Sequence, residues 1–137
     1  MHRSSAPSHI AIDASALVEL LLQTPVGKRV ASLTLGAQLV APDVINPETM
    51  QSLRRLERVG SLTAERAAIA VVRLRRSPIV RVPTGRLIED AWSLRANVSA
   101  YDACYLALAR AGGWPLLTTD APLRRALSPG VTFMTVS

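Results

Sequence analysis

The stretch HIAIDASALVELLLQ, residues 9–23, decides the fold class, because it joins a short β-branched run directly to a run of helix formers. Residues 9–13 have the composition of a short buried strand, and residues 14–23 carry apolar side chains at helical spacing. A strand that passes straight into a helix begins a β–α–β unit. We therefore expect the fold to start near His9, after a loose, flexible N-terminal tail of residues 1–8.

The same alternation continues to the C-terminus. Further strands are predicted at residues 38–41, 79–82, 115–118 and 131–136. Helices are predicted between them at residues 26–35, 43–59, 63–76, 86–95, 99–111 and 122–127. Pro47 fits best in a first turn, so the helix of residues 43–59 begins at Asp43 or only at Asn46. This order predicts one domain, residues 9–137, built as a three-layer α/β/α sandwich with a mainly parallel sheet.

The composition excludes several classes of protein. A chain of 137 residues with 49% apolar content fits one compact core. Cys104 is the only cysteine, so no intramolecular disulfide framework or Cys/His zinc spacing is available. Apolar runs are far shorter than the roughly 20 residues that cross a bilayer, and the N-terminus has no apolar signal-peptide core. We expect a cytoplasmic protein with no membrane association.

The basic charge is carried almost entirely by arginine. The net charge is +6, and Lys28 is the only lysine. Arginine favours planar recognition of phosphate, so a polyanionic partner is predicted. The candidate RNA-binding residues are Arg54, Arg55, Arg58, Arg73, Arg75 and Arg76. The alternative, which charge alone does not exclude, is that these arginines solvate outer helix faces.

Four carboxylates fall where ligands bind in parallel sheets, beyond the carboxyl ends of the strands. Asp13 ends the first predicted strand, Glu48 lies in the first helical turn after the second, and Asp120 follows the PLLT strand. Asp102 lies in the first turn of its own helix and reaches the same crevice if that helix packs against the centre of the sheet.

Each of these acids has a simpler explanation when it is taken alone. Carboxylates are favoured at helix N-termini, where they accept unpaired N–H groups. Ser99 and Asp102 are spaced like a capping box, and Asp120 precedes Ala121-Pro122 as an N-cap would. The functional interpretation rests on the set, because four acids in one crevice repel one another unless a cation neutralises them. Hard oxygen ligands favour Mg²⁺ or Mn²⁺.

Hydroxyl groups adjoin two of the acids. Ser15 follows Asp13 by two residues, and Thr118 and Thr119 directly precede Asp120. These side chains are predicted to hydrogen-bond the carboxylates or a nearby water, although a capping role fits them equally well.

Other chemistries fit the sequence poorly. The only histidines are His2 in the tail and His9, at the opposite end of its strand from Asp13, so a Ser–His or Cys–His site is disfavoured. No GxxxxGK[ST] or GxGxxG loop is present. A phosphoacceptor or phosphatase domain would need a second early acid and a late lysine, and Asp13 is followed by Ala14.

Four motifs, in order, resemble the PIN-domain ribonucleases, specifically the VapC-type toxins of prokaryotic toxin–antitoxin pairs. They are IDASALVELL around Asp13, PDVINPETMQSLRRL around Glu48, SAYDACYLALA around Asp102 and LLTTDAPLRRA around Asp120. The resemblance runs from about residue 9 to the C-terminus.

The resemblance implies a function and a set of partners. Asp13, Glu48, Asp102 and Asp120 would be the catalytic acids that coordinate Mg²⁺ or Mn²⁺ in an endoribonuclease. Such a protein would act in the prokaryotic cytoplasm as a homodimer and be inhibited by a VapB-type antitoxin. Pro47 before Glu48 and the lack of a late basic catalytic residue depart from the family pattern, but neither removes an acid. The alternative is a domain that binds RNA or sequesters an antitoxin with little catalysis.

Overall fold

The computed structural model describes residues 6–126 and 130–136. Most of the predicted tail, residues 1–5, lies outside the described residues, as do residues 127–129 and 137. Residues 6–8 form no helix or strand. The division into a tail of residues 1–8 and a domain of residues 9–137 stays a prediction.

Five parallel strands form one sheet, in the order β3-β2-β1-β4-β5. Their bounds are β1 His9–Ile12, β2 Gln38–Pro42, β3 Ile79–Val82, β4 Leu116–Leu117 and β5 Phe133–Met134. Strand β1 lies at the centre, where Ile10, Ala11 and Ile12 are fully buried. Burial on both faces explains why this strand is a continuous apolar run without polar alternation.

The helices lie in two layers on the sheet. Their bounds are α1 Ala14–Leu22, α2 Pro25–Thr34, α3 Ile45–Arg58, α4 Ala64–Arg76, α5 Ile88–Trp92, α6 Ala100–Gly112 and α7 Ala121–Arg125. The connections from β1 to β2 and from β2 to β3 run in one direction across the sheet, and that from β3 to β4 runs back. Because such crossovers are right-handed, α1–α4 cover one face and α5 and α6 the other. The predicted three-layer α/β/α fold is confirmed.

Side-chain caps start most of the helices where the sequence placed them. Asp13, Thr24, Thr63, Ser99 and Asp120 each accept a hydrogen bond from a backbone N–H in the first turn. Helix α3 has no side-chain cap. It begins at Ile45, between the two starts that the sequence left open, and Pro47 lies in its first turn, where a missing N–H costs nothing.

Three predicted elements are at least twice as long as the observed ones. The helix expected at residues 86–95 is reduced to α5, because a 3-10 turn, Thr84–Arg86, follows Pro83 and precedes it. The strands expected at residues 115–118 and 131–136 shrink to β4 and β5, which share only two residue pairs at the edge of the sheet. The helix expected at residues 122–127 is α7, and position 127 lies outside the described residues.

Arg81 on β3 fixes the position of α3. Its Nε donates to Asn46 Oδ1 at 2.7 Å, and its Nη2 donates to the carbonyl oxygen of Leu74 at 2.7 Å. The guanidinium therefore connects the first turn of α3 to the C-terminal turn of α4. Glu48 lies in that same first turn of α3, so this link also holds Glu48 in place.

No helix among residues 6–126 and 130–136 has the length and apolar character needed to cross a bilayer.

Candidate active site

The four predicted acids all lie at the carboxyl edge of the sheet. Asp13 directly follows β1, and Asp120 follows β4 after two threonines. Glu48 lies in the first turn of α3, which follows β2, and Asp102 lies in the first turn of α6. The topology therefore directs all four to one end of the molecule, as the sequence predicted.

Asp13 is the most enclosed of these acids, with 5% of its surface exposed. Its Oδ1 accepts the Ala16 N–H at 3.0 Å and the Ser15 hydroxyl at 2.7 Å. Its Oδ2 accepts the Thr118 hydroxyl. Asp13 is thus the N-cap of α1, and two hydroxyl groups also fix the orientation of its carboxylate.

The two hydroxyl groups also join the exit of β1 to the exit of β4. Thr118, fully buried, accepts the Asp120 N–H at 2.9 Å, and Ser15 Oγ accepts the Thr119 N–H at 3.0 Å. Ser15 and Thr118 therefore contribute side chains to this network, whereas Thr119 contributes its backbone. Their role in supporting a metal site stays a prediction.

Burial raises the pKa of Asp13 to about 6 from its ordinary value of 3.8. The hydrogen bonds from Thr118, Ala16 and Ser15 oppose this rise, and the negative charge of Asp120 adds to it. No positively charged side chain of the described residues contributes to the shift in the pKa of Asp13. When the Asp13 carboxylate is ionised, the described part of the fold therefore supplies no positive charge to balance it.

The other acids are coupled to one another in the same way. Burial raises the pKa of Glu48, and the charge of Asp102 raises it further. Burial likewise raises the pKa of Asp102, with the charge of Asp120 as the next cause. Because Asp120 also acts on Asp13, the repulsions link all four acids in one series. This is the electrostatic arrangement that a bound cation would relieve.

Tyr105 is a site residue that the sequence interpretation missed. It is 2% exposed, and its hydroxyl donates to Glu48 Oε1 at 2.6 Å. Burial raises its pKa most, followed by this hydrogen bond and by the charges of Glu48, Asp13 and Asp102. The hydroxyl therefore lies beneath the acids and orients one of them. Its spacing from Asp102, three residues along α6, was the available signal.

The acids fit a divalent cation by their chemistry. Within the described parts of the chain, no three His, Cys, Asp or Glu side chains come close enough together to hold a metal ion as they stand. The donors available are nevertheless carboxylate oxygens, which hard divalent cations prefer, and burial followed by neighbouring negative charge raises the pKa of Asp13, Glu48 and Asp102. Asp13, Glu48, Asp102 and Asp120 are thus the residues that would hold a metal.

An open groove of about 480 Å³ runs along α3 and includes Glu48 in its lining. Glu48, Gln51, Ser52 and Arg55 line it from α3, and Ala14 and Tyr101 line it from α1 and α6. Ala14 adjoins Asp13, and Tyr101 adjoins Asp102, so the groove opens next to three of the four acids.

The six candidate RNA-binding arginines have different surroundings. All are exposed, three on α3 (Arg54, Arg55 and Arg58) and three on α4 (Arg73, Arg75 and Arg76). Arg55 lines the groove that starts at Glu48. Arg73 instead donates to the carbonyl oxygen of Leu21 at 2.9 Å, near the end of α1. Their contact with RNA stays a prediction.

Comparison with known proteins identifies the family. A family model described as the PIN domain matches residues 10–126. Ribonuclease VapC3 of Mycobacterium tuberculosis is 36% identical over 128 residues, which covers 90% of each chain. The chain belongs to the PIN-domain family of VapC ribonucleases. A second relative of this PIN domain, the VapC ribonuclease Mb0985 of Mycobacterium bovis, is 37% identical over 83% of this chain and 87% of its own.

Solved structures show the same fold for this PIN domain at low sequence identity. PAE2754 from Pyrobaculum aerophilum matches with a TM-score of 0.65 and 19% identity, over 93% of this chain and 91% of that one. VapC20 of Mycobacterium tuberculosis, a sarcin-ricin loop cleaving toxin, matches with a TM-score of 0.62 and 19% identity, over 84% and 92%. The DNA-bound VapBC of Salmonella typhimurium matches with a TM-score of 0.64 and 16% identity, over 92% and 96%.

Proposed function

We propose that this PIN domain is a Mg²⁺- or Mn²⁺-dependent endoribonuclease toxin of the prokaryotic cytoplasm. It hydrolyses RNA phosphodiester bonds, acts as a homodimer and is inhibited by a VapB-type antitoxin. The family supports ribonuclease activity, since its relatives are named VapC ribonucleases. The VapBC complexes among the structural neighbours support an antitoxin partner.

The repulsion among Asp13, Asp120, Asp102 and Glu48 is the observation that carries the metal-dependent part of this proposal. Burial and neighbouring negative charge raise the pKa of Asp13, Glu48 and Asp102 together. A structural N-cap needs neither this burial nor these neighbours, since a cap is satisfied by one backbone N–H. Burial and mutual repulsion of these acids reduce the stability of the fold when no cation is bound, and the same acids would serve as ligands when one is bound.

Each acid has a proposed part in hydrolysis. Asp13, Glu48 and Asp102 would hold the metal, and Asp120 would position or deprotonate the attacking water. When bound, a divalent cation activates water and stabilises the charge that develops on the phosphate. Hydroxyl groups hold Asp13 and Glu48 in fixed orientations, so little reorganisation is needed. Asp120 Oδ1 accepts the Leu123 N–H at 3.1 Å, which fixes its carboxylate at the start of α7.

The chemistry of the cleaved ends tests the mechanism. Water, not the ribose 2′-OH, attacks in this proposal, so the products should carry 5′-phosphate and 3′-hydroxyl ends. The purified protein is incubated with cellular RNA plus Mg²⁺ or Mn²⁺, and the ends are sequenced. EDTA should abolish cleavage. Ends with 2′,3′-cyclic phosphate, or cleavage that persists in EDTA, would contradict the proposal.

Asp13→Asn provides the matched control for that experiment. The amide still caps α1 but binds a divalent cation poorly, so cleavage should fall by at least about 100-fold while the far-UV circular dichroism stays unchanged. Asp90→Asn, at an exposed acid on α5, should cleave as the unmodified protein does. Strong salt-dependent RNA binding without metal-dependent cleavage would instead favour an RNA-binding domain.

A further inference from the structure

The groove next to Glu48 has the side chains of a nucleotide subsite. One face of α3 supplies Glu48, Gln51, Ser52 and Arg55, at spacings of three, four and seven residues that align on a helix. Tyr101 faces them across the groove from the first turn of α6. A carboxylate, an amide, a hydroxyl, a guanidinium and an aromatic ring therefore share one cleft of about 480 Å³, within the usual range for ligand pockets of about 300–1,000 Å³.

Tyr101 is the unusual member of this set. It is 58% exposed, although its neighbours on α6 include the fully or nearly fully buried Ala103, Tyr105 and Leu106. Among the five Phe, Trp and Tyr side chains of the chain, only Tyr101 and Trp92 are more than half exposed. A ring that is more than half exposed and lines a groove offers a flat face for stacking.

We infer that this groove binds the nucleotide next to the scissile phosphate, with its base stacked on Tyr101 and its flanking phosphate held by Arg55. The inference rests on the proposed RNA cleavage and adds a substrate subsite to it. Single-stranded RNA is bound mainly by stacking on aromatic rings together with arginine contacts to the backbone. Gln51 and Ser52 line the same groove, and their side chains would supply hydrogen bonds to the base edge or the ribose.

Arg55 is displaced from the acids along the helix axis. Seven residues separate it from Glu48, which corresponds to roughly 10 Å of helical rise. The guanidinium therefore serves a neighbouring phosphate and leaves the scissile one to the acids and their metal. Because a guanidinium binds phosphate in a bidentate manner, this contact sets the register of the strand in the groove.

RNA binding by Tyr101 variants tests the stacking. The probe is a short fluorescein-labelled single-stranded RNA of fixed sequence, titrated by anisotropy with protein that carries Asp13→Asn to prevent cleavage. Tyr101→Ala should weaken binding by about 5- to 150-fold, the range of one lost stacking contact. Tyr101→Phe should bind within twofold of the parent, because the ring remains. Trp92→Ala, which removes the other exposed ring from α5, should also bind within twofold.

An RNA with the same ribose–phosphate backbone but no bases separates stacking from a folding defect. It should bind the parent protein more weakly than the normal RNA does, and the Tyr101→Ala substitution should add little further loss. Such non-additivity identifies a direct contact between the ring and a base. Full additivity of the two changes, or normal binding of RNA by Tyr101→Ala, would overturn the inference.

Arg55→Met tests the phosphate contact through salt dependence. Losing one phosphate contact should make the slope of log K against log salt shallower by about 0.7 for a single strand. Arg29→Met, at an exposed arginine on α2, should leave the slope unchanged. An unchanged slope for Arg55→Met would remove Arg55 from the subsite.

Two further outcomes distinguish this inference from its rivals. If Tyr101→Ala leaves RNA binding intact but weakens inhibition by an antitoxin, the groove is a protein-binding site and the inference is wrong. If the unmodified protein cleaves no RNA, the proposed function fails, whereas the binding experiment in the Asp13→Asn background still decides the subsite.

Discussion

At the level of single residues, an acid of the candidate site caps a helix and also lies near another acid. Asp13 caps α1 through the Ala16 N–H, and Asp102 lies beside the N-cap Ser99. Asp120 likewise accepts a backbone N–H at the start of its own helix. The distinguishing property is the set of neighbours, since each acid has its pKa raised by another acid or raises that of another.

Tyr105→Phe tests the orientation of Glu48. Removing the hydroxyl deletes the 2.6 Å hydrogen bond to Glu48 Oε1 but keeps the buried ring. We expect the metal concentration for half-maximal RNA cleavage to rise by about 10- to 100-fold, as for other groups that support metal ligands. The free energy of unfolding should change by only about 1 kcal/mol, because water reaches the half-buried Glu48.

The control for this prediction is a second variant that also loses a hydroxyl group. Ser93→Ala removes an exposed hydroxyl that donates to the Asp90 carbonyl oxygen, remote from the acids. Its metal dependence should match that of the unmodified protein. If Tyr105→Phe also matched it, Tyr105 would be a core residue without influence on Glu48.

At the level of secondary-structure elements, the carboxyl edge of the sheet and the first turns of the helices that follow it position the site residues. Helix α1 must leave β1 at an angle that keeps Asp13 against Thr118, and α2 packs closely on α1 to hold it there. The two helices approach closely at Gly27, where an added Cβ would lie 1.9 Å from the Glu19 carbonyl oxygen. Glycine is thus required at this position by the packing of two backbones.

Gly27→Ala should therefore destabilise the fold. The added methyl group meets backbone atoms that cannot rotate away, so α1 and α2 must separate. We expect the free energy of unfolding to fall by about 1–3 kcal/mol, measured by urea denaturation, even though alanine favours helix. Gly85→Ala is the matched control, because its Cβ would meet no atom within 4 Å and its change should stay within about 0.5 kcal/mol. Equal stability of the two variants would refute the close approach.

At the scale of the whole molecule, stability is coupled to the charge of the acids. The folded state holds the Asp13 proton up to a pH of about 6, whereas the unfolded chain releases it near 3.8. Between these values the folded state binds more protons, so the free energy of unfolding falls as pH rises. Because one pKa unit corresponds to about 1.4 kcal/mol, Asp13 accounts for at most about 3 kcal/mol. Glu48 and Asp102, with raised pKa values, act in the same direction.

The metal-free protein should consequently be more stable near pH 4 than near pH 7. Urea denaturation in EDTA at several pH values measures this, and Asp13→Asn should flatten the dependence, whereas Asp90→Asn should not. Adding Mg²⁺ at pH 7 should restore stability according to its affinity for the folded state. A metal-free protein whose stability increased from pH 4 to pH 7, or an Asp13→Asn variant stabilised by Mg²⁺ as much as the parent, would contradict the role of Asp13.

Local sequence patterns were sufficient to predict most helices and strands and to place the four acids near strand ends and helix starts. Alternating strands and helices predicted the parallel sheet, and caps at Asp13, Ser99 and Asp120 start their helices as expected. These features depend on a few neighbouring residues, so local patterns encode them. Short edge strands were predicted less well, because β5 extends only where β4 provides hydrogen-bond partners.

The contacts between distant polar groups could be read only from the packed fold. Asp43 and Glu48 both follow β2, yet Asp43 accepts the Thr84 N–H, whereas Glu48 faces Asp102 and the hydroxyl of Tyr105. Arg73 and Arg55 both lie in arginine-rich helices, so the sequence does not distinguish them. In the structure Arg73 donates to a backbone carbonyl oxygen, whereas Arg55 lines the groove. Such contacts join residues tens of positions apart, and they depend on how whole helices pack on the sheet, which no local pattern specifies.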